Sequence, residues 1–181
     1  MNVDRELRLR ASHERETEAV RMLHFEAFDE GERDAVSRLA IALPADPSAQ
    51  PSLSLVAESG AELLGSAIFS KVTIEQSAGT TMASILCPLA VRPDHHRQGI
   101  GSALIARGLE ILAEQGVEIV LVLGDPNYYR RSGFRSRHRL APPYPIDYPE
   151  AWMAIELIDG VLKDTKGKVR CSGVLDSEEY W

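Results

Sequence analysis

The stretch AVRPDHHRQGIGSALIARGLEILAEQ, residues 90–115, decides how the chain folds. An apolar run ends at Val91 and a polar loop follows. From Gly99 onward Leu104, Ile105, Leu109, Ile111 and Leu112 recur with the period of a helix that buries one face. The helix is expected to stop at Gln115-Gly116, where glycine suits a C-cap. The first turn of a helix leaves amide N–H groups without intrahelical partners, and the peptide dipoles add about half a positive charge there. Gly99 and Gly101 let an anion approach those amides without meeting a Cβ, so the junction reads as a cradle for a diphosphate.

Two anion-binding motifs fail on particular letters. A dinucleotide fingerprint needs a further glycine where Leu104 stands, and a nucleoside-triphosphate loop needs a lysine where Gly101 precedes Ser102. The string HRQGIG, residues 96–101, instead resembles the acyl-CoA signature Gln/Arg-x-x-Gly-x-Gly/Ala of the GNAT superfamily of N-acetyltransferases, with His96 where glutamine or arginine is usual. A second match follows an apolar strand at residues 118–123. Asp125 and Pro126 are a strong helix start, as N-cap and first helical residue. YYRRSGF, residues 128–134, then resembles the superfamily's Phe-Tyr-x-x-x-Gly-Phe element, with Tyr129 on its tyrosine. Val122 occupies the place where many members carry an asparagine. This Gly-Asp-Pro version is similar to the bacterial branch typified by YhbS, and it leaves Asn127 as the substitute amide.

The resemblance implies an α/β (α+β) fold, in which a mixed, mostly antiparallel sheet flanked by helices splays between two strands at the acyl-CoA site. It implies acetyl-CoA as acyl donor and no metal. The pantetheine arm would lie along Leu89, Ala90 and Val91 as an extra strand, with the diphosphate on Arg97, Gln98, Gly99, Ile100, Gly101 and Ser102. The activity implied is N-acetyl transfer by direct attack of a primary amine, on a small molecule or a peptide, and dimers are common among similar proteins. Tyr129 is the expected general acid. Expulsion of a thiolate, whose conjugate acid has a pKa of about 8 to 9, is eased by a phenol near 10 that hands over its proton. The backbone N–H of Leu89 would polarise the thioester carbonyl. No general base is assigned: Glu26, Glu75, His95 and Asp125 are candidates, and residues 81–91 hold no acid. Cys87 reads as a small buried side chain. Two other readings stay open, binding of acyl-CoA without turnover and transfer to a hydroxyl.

The remainder of the chain fits one domain over residues 1–181. With 44% apolar content its 181 residues can bury one good core. A net charge of -7 argues against nucleic acid or an anionic membrane as partner. No apolar run approaches the roughly 18 to 20 residues of a membrane span, the first fifteen or so residues lack a signal core, and the two cysteines have no metal or redox spacing. A cytoplasmic protein is expected. Residues 6–10 alternate as a strand. Residues 13–28 and 31–43 read as helices, with apolar stripes at Ala19, Met22, Leu23, Ala27 and at Val36, Leu39, Ala40, Leu43. A proline-rich loop at 44–52 precedes strands at 53–57 and 63–74, joined at Ser59-Gly60. Residues 76–80 turn into a third strand, 81–91, in which Pro88 marks a bulge or an unpaired edge. Residues 152–157 and 167–170 read as further strands. Phe25, Glu26 and Phe28 are expected near the acceptor, and residues 141–149 are a lid or a rigid connector. Arg92, Arg97 and Arg107 are candidates for the phosphates. Arg130, Arg131, Arg135, Arg137 and Arg139 read as a solvated face or as contacts to coenzyme A or to an acidic acceptor.

Overall fold

The computed structural model describes residues 6–75 and 81–181. Its longest strand, β3 (Glu62–Ile74), is buried without a break from residue 64 to residue 70, the pattern of a strand covered on both faces. Around it lie β1 (Leu7–Ala11), β2 (Ser52–Ser59), β4 (Ala83–Val91), β5 (Ile119–Leu123), β6 (Arg139–Ala141), β7 (Trp152–Glu156) and β8 (Lys166–Arg170). The sheet runs β1-β2-β3-β4-β5-β7, with β8 joining β3 and β6 off that path. Among the described residues only β4/β5 and β6/β8 are parallel. The mixed, mostly antiparallel sheet expected from the sequence is present.

Helices cover both faces. On one side α1 (Thr17–Ala27), α2 (Arg33–Ala45) and the C-terminal segment bury Val20, Leu39, Leu43 and Leu175 against Ile68, Ile85 and Leu121. On the other, α3 (Ile100–Glu114) lays Ile100, Leu104, Ile105 and Leu112 on Phe69, Leu86 and Val120. Gly108 lets the Phe69 ring reach the helix axis, since a Cβ there would lie 2.2 Å from the ring. The short helices α4 (Pro126–Tyr129) and α5 (Val161–Asp164) complete the set.

Several local expectations are corrected. The buried stripe of α1 is Val20, Leu23 and His24; Ala19 and Met22 face solvent. A histidine accepted into the apolar face shifted the phase of the stripe. Helix α2 runs on through Pro44, which stands one residue before its end, so that only the bond to the Ala40 carbonyl in the last turn is lost. The loop after it is tied down: Asp46 Oδ2 accepts from Val174 N (3.1 Å) and Ser48 Oγ from Gly173 N (2.9 Å). Of residues 141–149, Tyr144 donates to Asp176 and Ile146 packs against the core, so this excursion is a connector. The turn expected at residues 76–80 lies outside the described residues.

One feature of the sheet positions the site. Strand β5 pairs with β4 only at Ala83, Ser84 and Ile85, whereas β3 stays paired to β4 as far as Val91. Beyond Ile85 the two strands part. In the same region Cys87 and Pro88 together face one residue of β3, a bulge where proline brings no ladder donor.

At the other edge, Arg10 donates to Glu16 (2.6 and 2.9 Å) and to Glu58 (2.5 and 2.9 Å), tying β1 to β2 and to the turn before α1. The guanidinium pulls the Glu16 carboxyl down to about 2 and that of Glu58 below its usual range.

Candidate active site

Where β4 and β5 part, a cavity of about 730 Å³ opens between α1, β4, α3 and α4. Arg92 N donates to Leu64 O at 2.8 Å, so along β4 the alternate residues Ala90 and Arg92 aim their backbone groups at β3. Leu89 and Val91 therefore aim theirs at the open seam. His96 closes part of that edge, its Nε2 lying 2.8 Å from Val91 O. The histidine standing in the usual place of glutamine or arginine thus braces the loop against the strand, a tertiary role its sequence position did not announce.

The chain enters α3 through two left-handed residues, Arg97 (φ 62°) and Gly99 (φ 82°). A non-glycine residue in that region costs on the order of 1–3 kcal/mol, and here it turns Arg97 onto the cavity wall. The first intrahelical bond is Ala103 N to Gly99 O (2.9 Å), so the amides of Ile100, Gly101 and Ser102 precede it as the unpartnered first turn. At Gly99 a Cβ would meet nothing within 4 Å. Gly101 differs: a Cβ there would lie 2.0 Å from the Tyr128 hydroxyl. The phenol of Tyr128 takes the space that a side chain at Gly101 would fill.

Helix α4 starts as its sequence indicates. Asp125 caps it, its Oδ1 accepting from Asn127 N at 2.8 Å. This delivers Tyr128 and Tyr129 to the cavity wall, their rings edge to face at 5.0 Å. Tyr129 also packs edge-on to Phe134 at 5.9 Å, and its ring sits where a side chain on Gly124 would be, 2.5 Å from the Cβ position. Burial raises the Tyr129 phenol well above its ordinary value, with Tyr128, Cys87 and Asp125 adding to the effect. The group stays a protonated donor at any physiological pH. Burial pushes the Cys87 thiol up to about 12, which removes the thiolate a nucleophile would need.

Of the residues expected to hold the acyl donor, Leu89, Ala90, Val91, Arg97, Gly99, Ile100, Gly101 and Ser102 line this cavity together with Tyr129. Gln98 and Asn127 do not. Gln98 turns its side chain toward Asp94 O (3.5 Å), and Asn127 is exposed outside the wall. Val122, in the usual asparagine place, is core. The arginines separate by partner. Arg92 pairs with Glu62 (3.3 Å), Asp94 (3.4 Å) and Glu26 (3.9 Å), and Arg107 pairs with Glu110 (3.0 Å). Arg131 lies over the Tyr128 ring at 5.3 Å on the cavity wall, while Arg135 and Arg137 line a separate groove. Among the described residues no Asp or Glu lines the main cavity, so Arg97 and Arg131 face it without a carboxylate.

Of the candidate bases, Glu26 is drawn to Arg92 and Glu75 bonds Arg170 (2.7 Å). His95 lies on the wall with Nδ1 3.0 Å from Asp94 Oδ1. Phe28 lines the cavity as expected. Ala27 joins it, a residue that the sequence placed in the core stripe.

A strand parted from its neighbour beside a helix tip rich in free amides, with a protonated phenol on the seam, is a site shaped for a thioester carrier. The profile of the acetyltransferase (GNAT) family matches residues 16–134, and the chain belongs to that family. It is similar to the uncharacterized N-acetyltransferase YjhQ of Escherichia coli K12, 34% identical over 139 residues that span 74% of this chain and 76% of YjhQ. YhbS of the same strain, likewise named an uncharacterized N-acetyltransferase, is 32% identical over 60% of this chain and 64% of its own length. The crystal structure of E. coli YhbS in complex with CoA superposes with a TM-score of 0.86 at 25% identity, covering 98% of this chain and 96% of that one. A GNAT acetyltransferase from Brucella melitensis in complex with acetyl-CoA gives a TM-score of 0.74 at 25% identity, over 95% and 99%. The protein is an acyltransferase.

Proposed function

We propose that this acyltransferase moves the acetyl group of acetyl-CoA to a primary amine by direct attack, both substrates being held at once. The observation that carries the reading is the seam: β4 leaves β5 after Ile85, Leu89 and Val91 turn their backbone groups into the gap, and Tyr129 stands beside it. The pantetheine arm pairs with that edge as a strand would, while the amides of Ile100, Gly101 and Ser102 take the diphosphate. Arg97 and Arg131 add charge. The printed titles of the two related crystal structures, one with CoA and one with acetyl-CoA, support the choice of donor.

In the reaction the amine nitrogen attacks the thioester carbon. The developing oxyanion is held by Leu89 N–H, the carbon–sulfur bond breaks, and Tyr129 gives its proton to the leaving sulfur. The amine's own proton leaves through water, with His95 as the imidazole on the wall to receive it; Asp94 at Nδ1 leaves Nε2 as the accepting nitrogen. Half-buried free thiols at Cys87 and Cys171, both pushed up to about 12, suit a reducing cytoplasm.

Thiol release from acetyl-CoA, measured against panels of primary amines and alcohols, tests the reading. Amine-dependent thiol release with matching N-acetyl product is expected. Tight acyl-CoA binding with no release above background would make the protein a sensor, and release that depends on alcohols would make it an O-acyltransferase.

A further inference from the structure

The side chain of Tyr128 reaches across the first turn of α3 in a way the acyl-transfer reading does not require. Its hydroxyl lies over Gly101, close enough that a Cβ there would be 2.0 Å away, and Ser102 shares the same cavity wall. Arg131 covers the ring at 5.3 Å, and Tyr129 meets it edge to face at 5.0 Å. All five residues line the one cavity. The phenol is therefore fixed on three sides, and its oxygen sits beside the amides of Ile100, Gly101 and Ser102, which have no intrahelical partners.

We propose that Tyr128 is a side-chain donor to the diphosphate of the acyl carrier, and that Gly101 is glycine in order to admit this phenol rather than the phosphate itself. The inference rests on the acyl-CoA reading of the cavity and adds a residue to it. A tyrosine suits the task because it donates through its hydroxyl without bringing a second charge, and the cation over its ring polarises the O–H toward an anion. Pairing an anion with both phenol and backbone amides also holds the neighbouring Tyr129 ring in place.

Binding of coenzyme A, dephospho-coenzyme A and pantetheine to the wild-type protein and to Tyr128→Phe, read by calorimetry, tests the proposal. Loss of a hydrogen bond to a charged group predicts about tenfold or more weaker binding of both diphosphate-bearing ligands by the variant. Pantetheine affinity should be unchanged, as should the thermal midpoint of the free protein. Equal affinities for coenzyme A would overturn the proposal and leave Tyr128 as packing. Tighter binding by the variant would overturn it too, showing the hydroxyl to be a plug that the phosphate must expel. Wild-type protein that ignores coenzyme A would defeat the acyl-CoA reading and this assignment with it, an outcome distinct from failure of the variant alone. Gly101→Ala should weaken coenzyme A binding, and the second change Tyr128→Phe should restore fit at the helix, because the ring carbon is 3.3 Å from the Cβ position where the oxygen is 2.0 Å.

Discussion

Two regions of the same sheet treat charge in opposite ways. At the β1–β2 edge Arg10 is enclosed by Glu16 and Glu58, with hydrogen bonds to both and each carboxyl held below its ordinary range. At the β4–β5 seam Arg97 and Arg131 face a cavity that no carboxylate lines among the described residues, beside backbone amides that no helix bond uses. The first region satisfies its own polar groups and contributes to stability. The second leaves them without partners of that kind, and it holds Arg97 in the left-handed region. In a chain of net charge -7, cations left uncompensated at one place mark where an anion is expected.

The contrast predicts that substitutions at the seam change turnover or affinity, and that those at the edge change stability. The largest effect belongs to Tyr129→Phe. Turnover should fall about a hundredfold or more, while coenzyme A affinity and the thermal midpoint stay put; full activity would remove Tyr129 from the chemistry. Next comes Arg10→Ala, which strands two partly buried carboxylates. It should lower the thermal midpoint by a few degrees, with turnover per folded molecule unchanged.

A third effect depends on pH. His24 is fully buried in α1, stacked on Phe28 at 6.4 Å, with no hydrogen-bond partner among the described residues at either ring nitrogen, and burial pushes it down to about 3. A folded-state value below the unfolded one favours folding while the ring is neutral. That contribution is complete above pH about 6.5 and is lost as pH falls toward 3, by up to about 1.4 kcal/mol per pH unit. His24→Leu should flatten the fall in thermal midpoint between pH 6.5 and 5, and an unaltered profile would point to other groups. Glu16 acts only lower, between its ordinary range and about 2. The smallest effect is that of Arg97→Ala, a weakening of coenzyme A binding by about fivefold that shrinks as salt rises.

Much of this was legible in the sequence because the signals are local. The helix after Gly99 follows from the spacing of its apolar residues, the start of α4 from Asp125-Pro126, and the reach of Tyr129 into the cavity from its place three residues beyond that proline. What escaped depends on contacts between distant segments. Nothing near Gly101 in sequence tells that Tyr128 fills its missing side chain, and nothing near Arg92 tells that Glu26 and Glu62 claim it. His96 read as a weakened motif because its target, the Val91 carbonyl, turns toward it only once β4 has parted from β5. The phase of α1 is not legible because a buried histidine is rare, so that the solvent-facing Met22 reads as the core residue in place of His24.

Crystals grown with coenzyme A offer the most direct measurement, the position of its sulfur relative to the Tyr129 hydroxyl. The account predicts the diphosphate on the first turn of α3, the arm along Leu89 and Val91, and the sulfur within hydrogen-bond reach of that phenol. A sulfur lying on the far side of β4, or a carrier bound away from the seam, would contradict it.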